Sequence, residues 1–372
     1  MKLLHIADLH IGKVYREVSF LDDQIYLLDE IVNVCLEEKI DALLIAGDIY
    51  QNSIPGSDAI KAFNDFLIKL SKNNIKTYII SGNHDNEERV TYLNELIKDK
   101  GIYIANKYQG ELSKLVLNDE YGKLNLYMLP FFKPIEIRRL FNNEAVKNSN
   151  DALKLILGKE NIDYNERNIM MMHQFLSGAI KSDSEEVAVG GVDAIDYHEL
   201  CDFDYVALGH IHSPQKIGRD YIRYSGSLMK YSFSEINQQK SITIIDIKEK
   251  GNLIITEKYL KARKDFREVK GMLNDILKLP PSDDYMSVVL CDEEIMMDAK
   301  LSVYMHYPNT MRIRVENSKT NYDEEIKSEE IMENSDPLSL FKEFYKINNG
   351  NVEPNDNLIK IIEDAIKEVG DN

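Results

Sequence analysis

Five short apolar segments of this chain each end at residues that can bind a metal ion. In the clearest case, residues 77–80 lead directly into Ser81-Gly82-Asn83-His84-Asp85, which places an amide, an imidazole and a carboxylate side by side. The carboxyl ends of parallel strands meet at one edge of a sheet, where loops carry functional groups. We therefore expect the five ends to lie together. The other four carry Asp8 and His10 after residues 3–7, Asp48 after 42–47, His173 after 169–172, and His210 and His212 after 205–209.

The segments between the first strand-like runs have the apolar spacing of helices. Residues 21–35 and 60–70 place apolar side chains three or four positions apart, and each segment precedes a strand-like run. This order predicts parallel strands covered by helices. A further helix is predicted through Val90, Leu93, Leu96 and Ile97. The faces formed by Ile60, Phe63 and Leu67 and by Val90, Leu93 and Ile97 are interpreted as core faces, with a homodimer interface as the alternative.

Between residues 102 and 128 the apolar period shifts towards two, which predicts antiparallel strands at 114–117 and 124–128. Strands predicted at 241–247 and 253–259 are expected to close this second sheet. Pro130, Pro134 and the polar stretch 142–151 predict irregular connections before a short helix at 153–157, and residues 174–203 are interpreted as largely looped. A first, mixed α/β domain is therefore predicted over residues 1–262.

The remaining chain divides into three predicted parts. Residues 265–317 have the pattern helix (269–277), strand (286–290), helix (295–304) and strand (311–315), which is typical of a small α+β domain. The polar stretch 318–336 is interpreted as a linker. Residues 337–372 predict a helical pair too small for its own core. Its apolar residues include Leu340, Phe344, Leu358, Ile362 and Ile366.

Composition limits the class of protein. The chain has 372 residues, 44% of them hydrophobic, and three widely spaced cysteines, which argues against a disulfide framework and favours a reducing cytoplasm. No apolar run has the length of a signal peptide or a membrane span. The net charge of −18 argues against coating of nucleic acid, but residues 321–372, with 14 acidic and 5 basic side chains, carry half of that excess. The basic segment 258–270 is either a local phosphate contact or a solvated hinge.

The donor types at the strand ends predict metal chemistry. Carboxylate and amide oxygens with imidazole nitrogens suit Mn²⁺, and Mg²⁺ is a possible substitute. Without thiolates a structural zinc site is disfavoured. Seven donor residues exceed what one ion needs, whereas two ions bridged by one carboxylate would use them all. Such a pair, about 4 Å apart, activates water for attack on a phosphoester. The seven are Asp8, His10, Asp48, Asn83, His173, His210 and His212.

In this order the five segments carry the motifs D-x-H, G-D, G-N-H-D, H and G-H-x-H, and the chain thereby resembles the calcineurin-like metallophosphoesterases. A closer resemblance is to the nuclease subunits of bacterial double-strand-break processing complexes. It rests on residues 8–12, 46–50, 225–227 and 336–345 and covers essentially the whole chain. The family fold is a four-layer α/β/β/α sandwich, here with a capping domain at 265–317 and a C-terminal helical pair.

The resemblance implies a role for each motif residue. Asp8, His10, Asp48 and His212 would hold one Mn²⁺ ion, and Asp48, Asn83, His173 and His210 the other. His84 would contact the scissile phosphate and assist the leaving oxygen, while Asp85 would tune or orient His84. At Gln51 the chain departs from many relatives, which have an acidic residue there. No donor residue is lost, so the departure affects only substrate contacts near that loop.

The same resemblance implies a manganese-dependent DNA nuclease of DNA repair, recombination and replication, an exonuclease on duplex ends and an endonuclease on single strands. The capping domain would bind DNA. Residues 337–372 would grip a coiled coil of an ATPase subunit, and the chain would form a homodimer within a heterotetramer. The alternative for the C-terminal helices is docking on their own domain.

Two rival functions remain open at this point. A phosphatase or phosphodiesterase for small molecules would need neither cap nor tail, and a non-catalytic scaffold would predict eroded donor residues. His5, His198 and His306 lie outside the motifs and are interpreted as structural. Lys13, Asn52 and Lys230 lie beside motifs and are interpreted as incidental surface residues, with contact to DNA phosphate as the alternative.

Overall fold

The computed structural model describes most of the chain. The described residues are 1–92, 94–183, 185, 194–294, 298–317, 338, 341–342, 345–346, 353–355 and 358–362. The chain divides into two compact units, one of Met1–Glu268 with Asp283–Ser287 and one of Val269–Ser282 with Val288–Asn372. The domain boundaries expected from the sequence stay predictions.

The first unit contains a six-stranded sheet in which four neighbouring strands are parallel. Residues Leu3 and Ile6 pair in register with Ala42 and Ile45, which aligns the carboxyl ends of these two strands. In spatial order the strands are Leu253–Tyr259, Ser241–Ile247, Lys2–Ile6, Ala42–Ala46, Lys76–Ile80 and Ile102–Ile104.

A second six-stranded sheet is also mixed. Arg167–His173 lies between two parallel neighbours, Gly122–Leu129 and Tyr205–Gly209. The predicted antiparallel pair is confirmed, because Ser113–Asp119 pairs with Gly122–Leu129 in that sense. The spatial order is Gln215–Ile217, Arg219–Tyr224, Tyr205–Gly209, Arg167–His173, Gly122–Leu129 and Ser113–Asp119.

The two sheets share a buried core. Side chains alternate along a strand, so Met171 packs with Leu44 and Ala46 of the first sheet, while Met170 and Met172 face the other way. On that outer side they pack with residues of two helices, Pro134–Phe141 and Ser149–Lys159. Two further helices, Leu21–Glu37 and Ser57–Lys72, contact each other, and the second also contacts Lys76–Ile80. The predicted α/β fold with two mixed sheets and helices is confirmed.

Shorter elements complete the first unit. The two-stranded sheet Val14–Tyr15 and Val18–Ser19 precedes the first helix. Helical turns occur at Glu87–Thr91, Asn94–Ile97, Lys98–Lys100, Tyr197–Leu200 and Phe233–Glu235.

Several local predictions were wrong. Ser241–Ile247 and Leu253–Tyr259 join the first sheet instead of the second, because the almost entirely buried Ser241–Ile247 pairs antiparallel with the N-terminal strand. Pro134 begins a helix, since proline fits its first turn and Glu136 bonds back to the main chain of Lys133. Strands Gln215–Ile217 and Arg219–Tyr224 were not predicted.

The two helical faces also differ from expectation. The core interpretation holds for Phe63, but it is wrong for Ile60, which is 46% exposed because the buried face is centred on Phe63 and Phe66. The helix predicted through Val90 and Ile97 is interrupted, and Leu93 lies outside the described residues.

The chain from Phe266 to Val315 carries a three-stranded sheet in the order Phe266–Gly271, Tyr285–Leu290, Thr310–Val315. The predicted helix at 269–277 is wrong in its first part, because Val269–Gly271 continue the strand and only Leu273–Ile276 are helical. The second helix is Ala299–His306; the predicted start at Ile295 lies outside the described residues. So do the linker 318–336 and most of the tail, including Leu340, Phe344 and Ile366, whereas 358–362 are helical. Among the described residues, no helix is long and apolar enough to span a membrane.

Candidate metal centre

All five strand ends meet at one place. Five donor residues are nearly completely buried there, with at most 2% of each residue exposed: Asp8, His10, Asp48, His173 and His212. His210 is 8% exposed, and Asn83 and His84 are partly exposed. The strand ends of both sheets therefore lie together, as expected.

Asp48 lies at the middle of the group. Its Oδ2 is 3.6 Å from His10 Nε2 and 3.4 Å from His173 Nε2. On one side, His10 Nε2 lies 3.0 Å from His212 Nε2. On the other, Asn83 Oδ1 lies 3.1 Å from His173 Nε2 and 2.9 Å from His210 Nδ1. The donors thus form two clusters with the Asp48 carboxylate between them.

The donor set fits divalent ions. Three triads have ligand atoms within 4.8 Å of one another: Asp8 with His10 and His212, Asp8 with Asp48 and His173, and His10 with Asp48 and His84. Asp8 Oδ2 is buried without a hydrogen-bond partner among the described residues. An unpartnered buried carboxylate oxygen is costly, and an ion would satisfy it.

Burial and mutual charge shift the pKa values within the centre. Burial raises the pKa of Asp8 well above its usual value. Burial also raises that of Asp48, but attraction to His173 and His10 outweighs it and holds the pKa well below the usual value. Burial lowers the pKa of His173, yet Asp48 overrides this and raises it to about 9, whereas burial lowers the pKa of His210 to about 3. The anionic form of Asp48 is therefore favoured, as a bridging ligand requires.

The backbone carries strain at the donors. Asp8, His10, Asp48 and His210 all have positive φ, at 52°, 44°, 51° and 106°. Non-glycine residues rarely adopt this conformation, and such residues cluster at functional sites.

Comparison with known proteins gives the family. Residues 1–214 match the family described as Calcineurin-like phosphoesterase. The chain belongs to the calcineurin-like phosphoesterases. As a member it is a metal-dependent phosphoesterase with that family's fold. Residues 262–349 match a second family, described as Type 5 capsule protein repressor C-terminal domain.

Two curated relatives extend the likeness over nearly the whole chain. Both are named as a subunit of the nuclease SbcCD. One, from Staphylococcus saprophyticus, is 32% identical and the match covers 93% of this chain and 92% of the relative. The other, from Staphylococcus epidermidis, is 30% identical with 93% of each covered. Among solved structures, a dimetal phosphatase from Danio rerio aligns with a TM-score of 0.42 and 12% identity over 69% of this chain and 96% of that one, so the assignment rests on the sequence relatives.

His84 and Asp85 have distinct surroundings in this calcineurin-like site. The His84 Nδ1 lies 3.0 Å from the carbonyl oxygen of Gln51, and its amide donates to Asp48 Oδ1 at 2.9 Å. Asp85 accepts hydrogen bonds from the amides of Ile49, Tyr50 and Gly82. Burial, together with the charge of Asp48, raises the pKa of Asp85 to about 6. Asp85 therefore joins the loop after Asp48 to the loop that carries His84, and it is the Gln51 carbonyl that contacts the imidazole.

Sequence reasoning missed several residues that support the donors. The Gln24 side chain donates to the carbonyls of Leu9 and His10 and accepts from the Gly12 amide, which fixes the first donor loop. The Tyr231 hydroxyl also donates to the carbonyl of Leu9. Phe131 packs against the rings of His173 and His210. No local pattern marks these residues, because their contacts join distant parts of the chain.

The other named residues lie outside the three triads. His5 is fully buried with Nδ1 3.0 Å from the Tyr205 hydroxyl, and burial lowers its pKa to about 3. His198 is exposed and contacts Asp196, and the partly exposed His306 contacts the Leu279 carbonyl. Lys13 lies over the Tyr231 ring, Lys230 pairs with Asp265, and Asn52 is exposed.

Proposed function

We propose that this chain is a manganese-dependent DNA nuclease that hydrolyses phosphodiesters with two divalent ions. The observation that carries the proposal is the convergence of six further N and O donors around the carboxylate of Asp48. The curated relatives are named as nuclease subunits, which supports DNA as the substrate class.

In this proposal Asp8, His10, Asp48 and His212 hold one ion. Asp48, Asn83, His173 and His210 hold the second. Bound there, the ions would polarise the phosphate and lower the pKa of a water molecule. Mn²⁺ is proposed from the mixed imidazole and carboxylate donors, and Mg²⁺ is the substitute to compare.

His84 is the proposed catalytic residue outside the donor set. If its Nδ1 carries the proton and donates to the Gln51 carbonyl, Nε2 is available towards the donor cluster of His10 and Asp48. When Nε2 also carries a proton, the imidazolium can contact the scissile phosphate and pass that Nε2 proton to the leaving oxygen, which leaves a neutral His84 with its remaining proton on Nδ1. Asp85 holds the two loops that keep His84 beside Asp48.

The wider assignments follow the relatives. We propose exonuclease action on duplex ends and endonuclease action on single strands, in repair, recombination and replication. SbcC is the proposed ATPase partner, bound as a coiled coil by residues 337–372, and a cytoplasmic location suits three free cysteines. The proposed homodimer is supported by apolar side chains at the surface of 54–96, which include Ile54, Ile60, Tyr92 and Leu96.

Replacing His84 tests the mechanism. His84→Ala should lower cleavage of linear duplex and single-stranded DNA by about 10²–10⁴-fold, the usual contribution of a general acid. Bound Mn²⁺, measured by elemental analysis, should be retained. His198→Ala is the control, because this exposed histidine lies outside the donor triads. Full nuclease activity in His84→Ala would exclude the mechanism.

The substrate class needs a separate comparison. Turnover of linear duplex DNA and of bis(p-nitrophenyl) phosphate should be measured with Mn²⁺ and Mg²⁺, with and without the ATPase subunit. DNA cleavage supports the nuclease, whereas turnover of the small diester alone would favour a small-molecule phosphodiesterase. Failure to bind Mn²⁺ would favour a non-catalytic scaffold.

A further inference from the structure

A buried ion pair holds one of the proposed metal ligands. Glu235 is completely buried and lies 2.6 Å from the Nζ of Lys240, which is also buried. Neither residue belongs to the donor set, and neither stands in a recognisable motif. Both contact His212.

Glu235 and Lys240 contact different parts of His212. Glu235 Oε1 lies 3.5 Å from the ring Nδ1 of His212. Lys240 Nζ donates to the main-chain carbonyl of His212 at 2.7 Å and to Gln238 at 2.8 Å. Glu235 also accepts from the Tyr231 amide at 3.3 Å. The pair thus contacts both the ring and the backbone of His212, whose amide also donates to Glu185 Oε1 at 2.7 Å.

The orientation of the His212 ring indicates what the ion pair does. The Nε2 of His212 faces the donor cluster, 3.0 Å from His10 Nε2. To offer its lone pair there, the ring must carry its proton on Nδ1, the atom that faces Glu235. A carboxylate at that position fixes both the tautomer and the ring plane of a metal-binding histidine.

The other imidazoles of the centre are supported differently. Nδ1 of His173 contacts the Ala46 carbonyl and that of His84 contacts the Gln51 carbonyl. The Nδ1 of His10 has no hydrogen-bond partner among the described residues. Of the described histidine contacts within the centre, only that of His212 joins a carboxylate outside the donor set.

Stability alone is a poor reason for such a pair. Removing two charges from water costs several kcal/mol per ion in general, and an apolar replacement of similar volume is often as stable or more stable. An ion pair this deeply buried is therefore better explained by what it positions.

We propose that Glu235, held by Lys240, is a positioning residue that sets the affinity of the ion position formed by Asp8, His10, Asp48 and His212. The inference rests on the two-ion function proposed above. It makes the affinities of the two ion positions unequal, because within the described part of the chain no carboxylate outside the donor set contacts Asn83, His173 or His210. Replacing Glu235 should therefore weaken the binding of one ion and leave the affinity for the other unchanged.

Calorimetric titration of Mn²⁺ into the full, chelator-treated chain tests this. The wild type should bind two ions. Glu235→Gln should weaken one binding event by about 10–100-fold, the usual effect of removing a supporting partner. The affinity of the second binding event should stay within about threefold of the wild-type value. In Glu235→Gln/Lys240→Met, which leaves no unpaired buried charge, the same selective loss is expected.

The matched control is Asp204→Asn. Asp204 is another buried carboxylate, paired with Lys250 at 2.9 Å and accepting the Asn168 amide at 2.7 Å, but it lies outside the donor triads. Its replacement should leave the affinities for both ions unchanged. Circular dichroism identifies any variant that fails to fold, and the double variant then decides in place of the single one.

The outcomes separate this inference from the proposed function. Two ions in the wild type with unchanged affinities in both Glu235 variants would overturn the positioning role and leave the nuclease proposal intact. Equal weakening of both ions would also overturn it. A wild type that binds fewer than two ions would contradict the two-ion function itself.

Discussion

Gly82 is the residue whose replacement should most directly displace the shared carboxylate. A Cβ atom on Gly82 would overlap the Asp48 carboxylate, and it would lie 2.5 Å from the Asp48 amide nitrogen and 2.7 Å from Cγ. The φ of Gly82 is not positive, so the objection to alanine is one of space alone. Gly82→Ala therefore tests the placement of Asp48 without adding a polar group.

The size of the displacement follows from these distances. Since real Cβ contacts essentially never fall below 3.0 Å, the Asp48 backbone must move by about 0.5 Å, and its carboxylate by more. Overpacking of this kind costs about 1–3 kcal/mol of unfolding free energy. Misplacement of a reacting group by about 1 Å can cost about 10²-fold in rate. We expect a loss of activity near that size, together with weaker binding of both ions because Asp48 is shared.

The assay is kcat for bis(p-nitrophenyl) phosphate at saturating Mn²⁺, with Mn²⁺ affinity from calorimetry and stability from urea unfolding. Gly158→Ala is the matched control. Gly158 lies in the helix Ser149–Lys159, and its φ is not positive. Apart from its chain neighbours and the backbone of its own helix, no atom of the described residues lies within 4 Å of the position that an added methyl group would take. The control should keep wild-type activity and gain up to about 1 kcal/mol of stability.

Wild-type turnover and metal affinity in a folded Gly82→Ala variant would refute the reasoning. It would mean that the carboxylate tolerates displacement, and that Asp48 does not determine the geometry of the centre.

Two further predictions concern parts of the chain away from the centre. Burial raises the pKa of Asp119, but hydrogen bonds from Arg167 override this and lower it to about 2, from the usual 3.8. Because the pKa of Asp119 is lower in the folded state, the stability that its carboxylate adds is present above pH 3.8 and is lost as the pH falls towards 2. The free energies of unfolding of the wild type and Asp119→Asn, measured with urea, should therefore differ by a constant amount near neutral pH and converge between about pH 4 and 2. A difference in unfolding free energy that persists at about pH 2 would contradict the assignment. Deletion of residues 337–372 should abolish binding to the ATPase subunit in a pull-down while metal content and hydrolysis of the small diester are preserved; undiminished binding would place the partner surface elsewhere.

The sequence was most informative where function depends on short local spacing. Each predicted donor lies at or just after the end of a buried strand, and the aligned ends of Lys2–Ile6, Ala42–Ala46 and Lys76–Ile80 bring four of them together, Asp8, His10, Asp48 and Asn83. Apolar patterning does not say which sheet a strand joins, and for this reason Ser241–Ile247 was assigned to the wrong one. Glu235 and Gln24 could not be found in this way, because nothing local distinguishes a carboxylate or amide that contacts a donor loop from one that faces solvent.

The strained donors can be maintained because the strand ends bond to one another. Each residue with positive φ costs of order 1–3 kcal/mol, so the four in the centre need compensation from their surroundings. The amide of Asp8 donates to the Gly47 carbonyl at 3.1 Å and that of His10 to the Asp48 carbonyl at 2.9 Å. The amide of His210 donates to Asp8 Oδ1 at 2.9 Å, which links the two sheets. Because each donor loop is held by its neighbour, a shift of Asp48 should also displace the other loops. For this reason Gly82→Ala is expected to weaken the binding of both ions, whereas Glu235→Gln is expected to weaken the binding of only one.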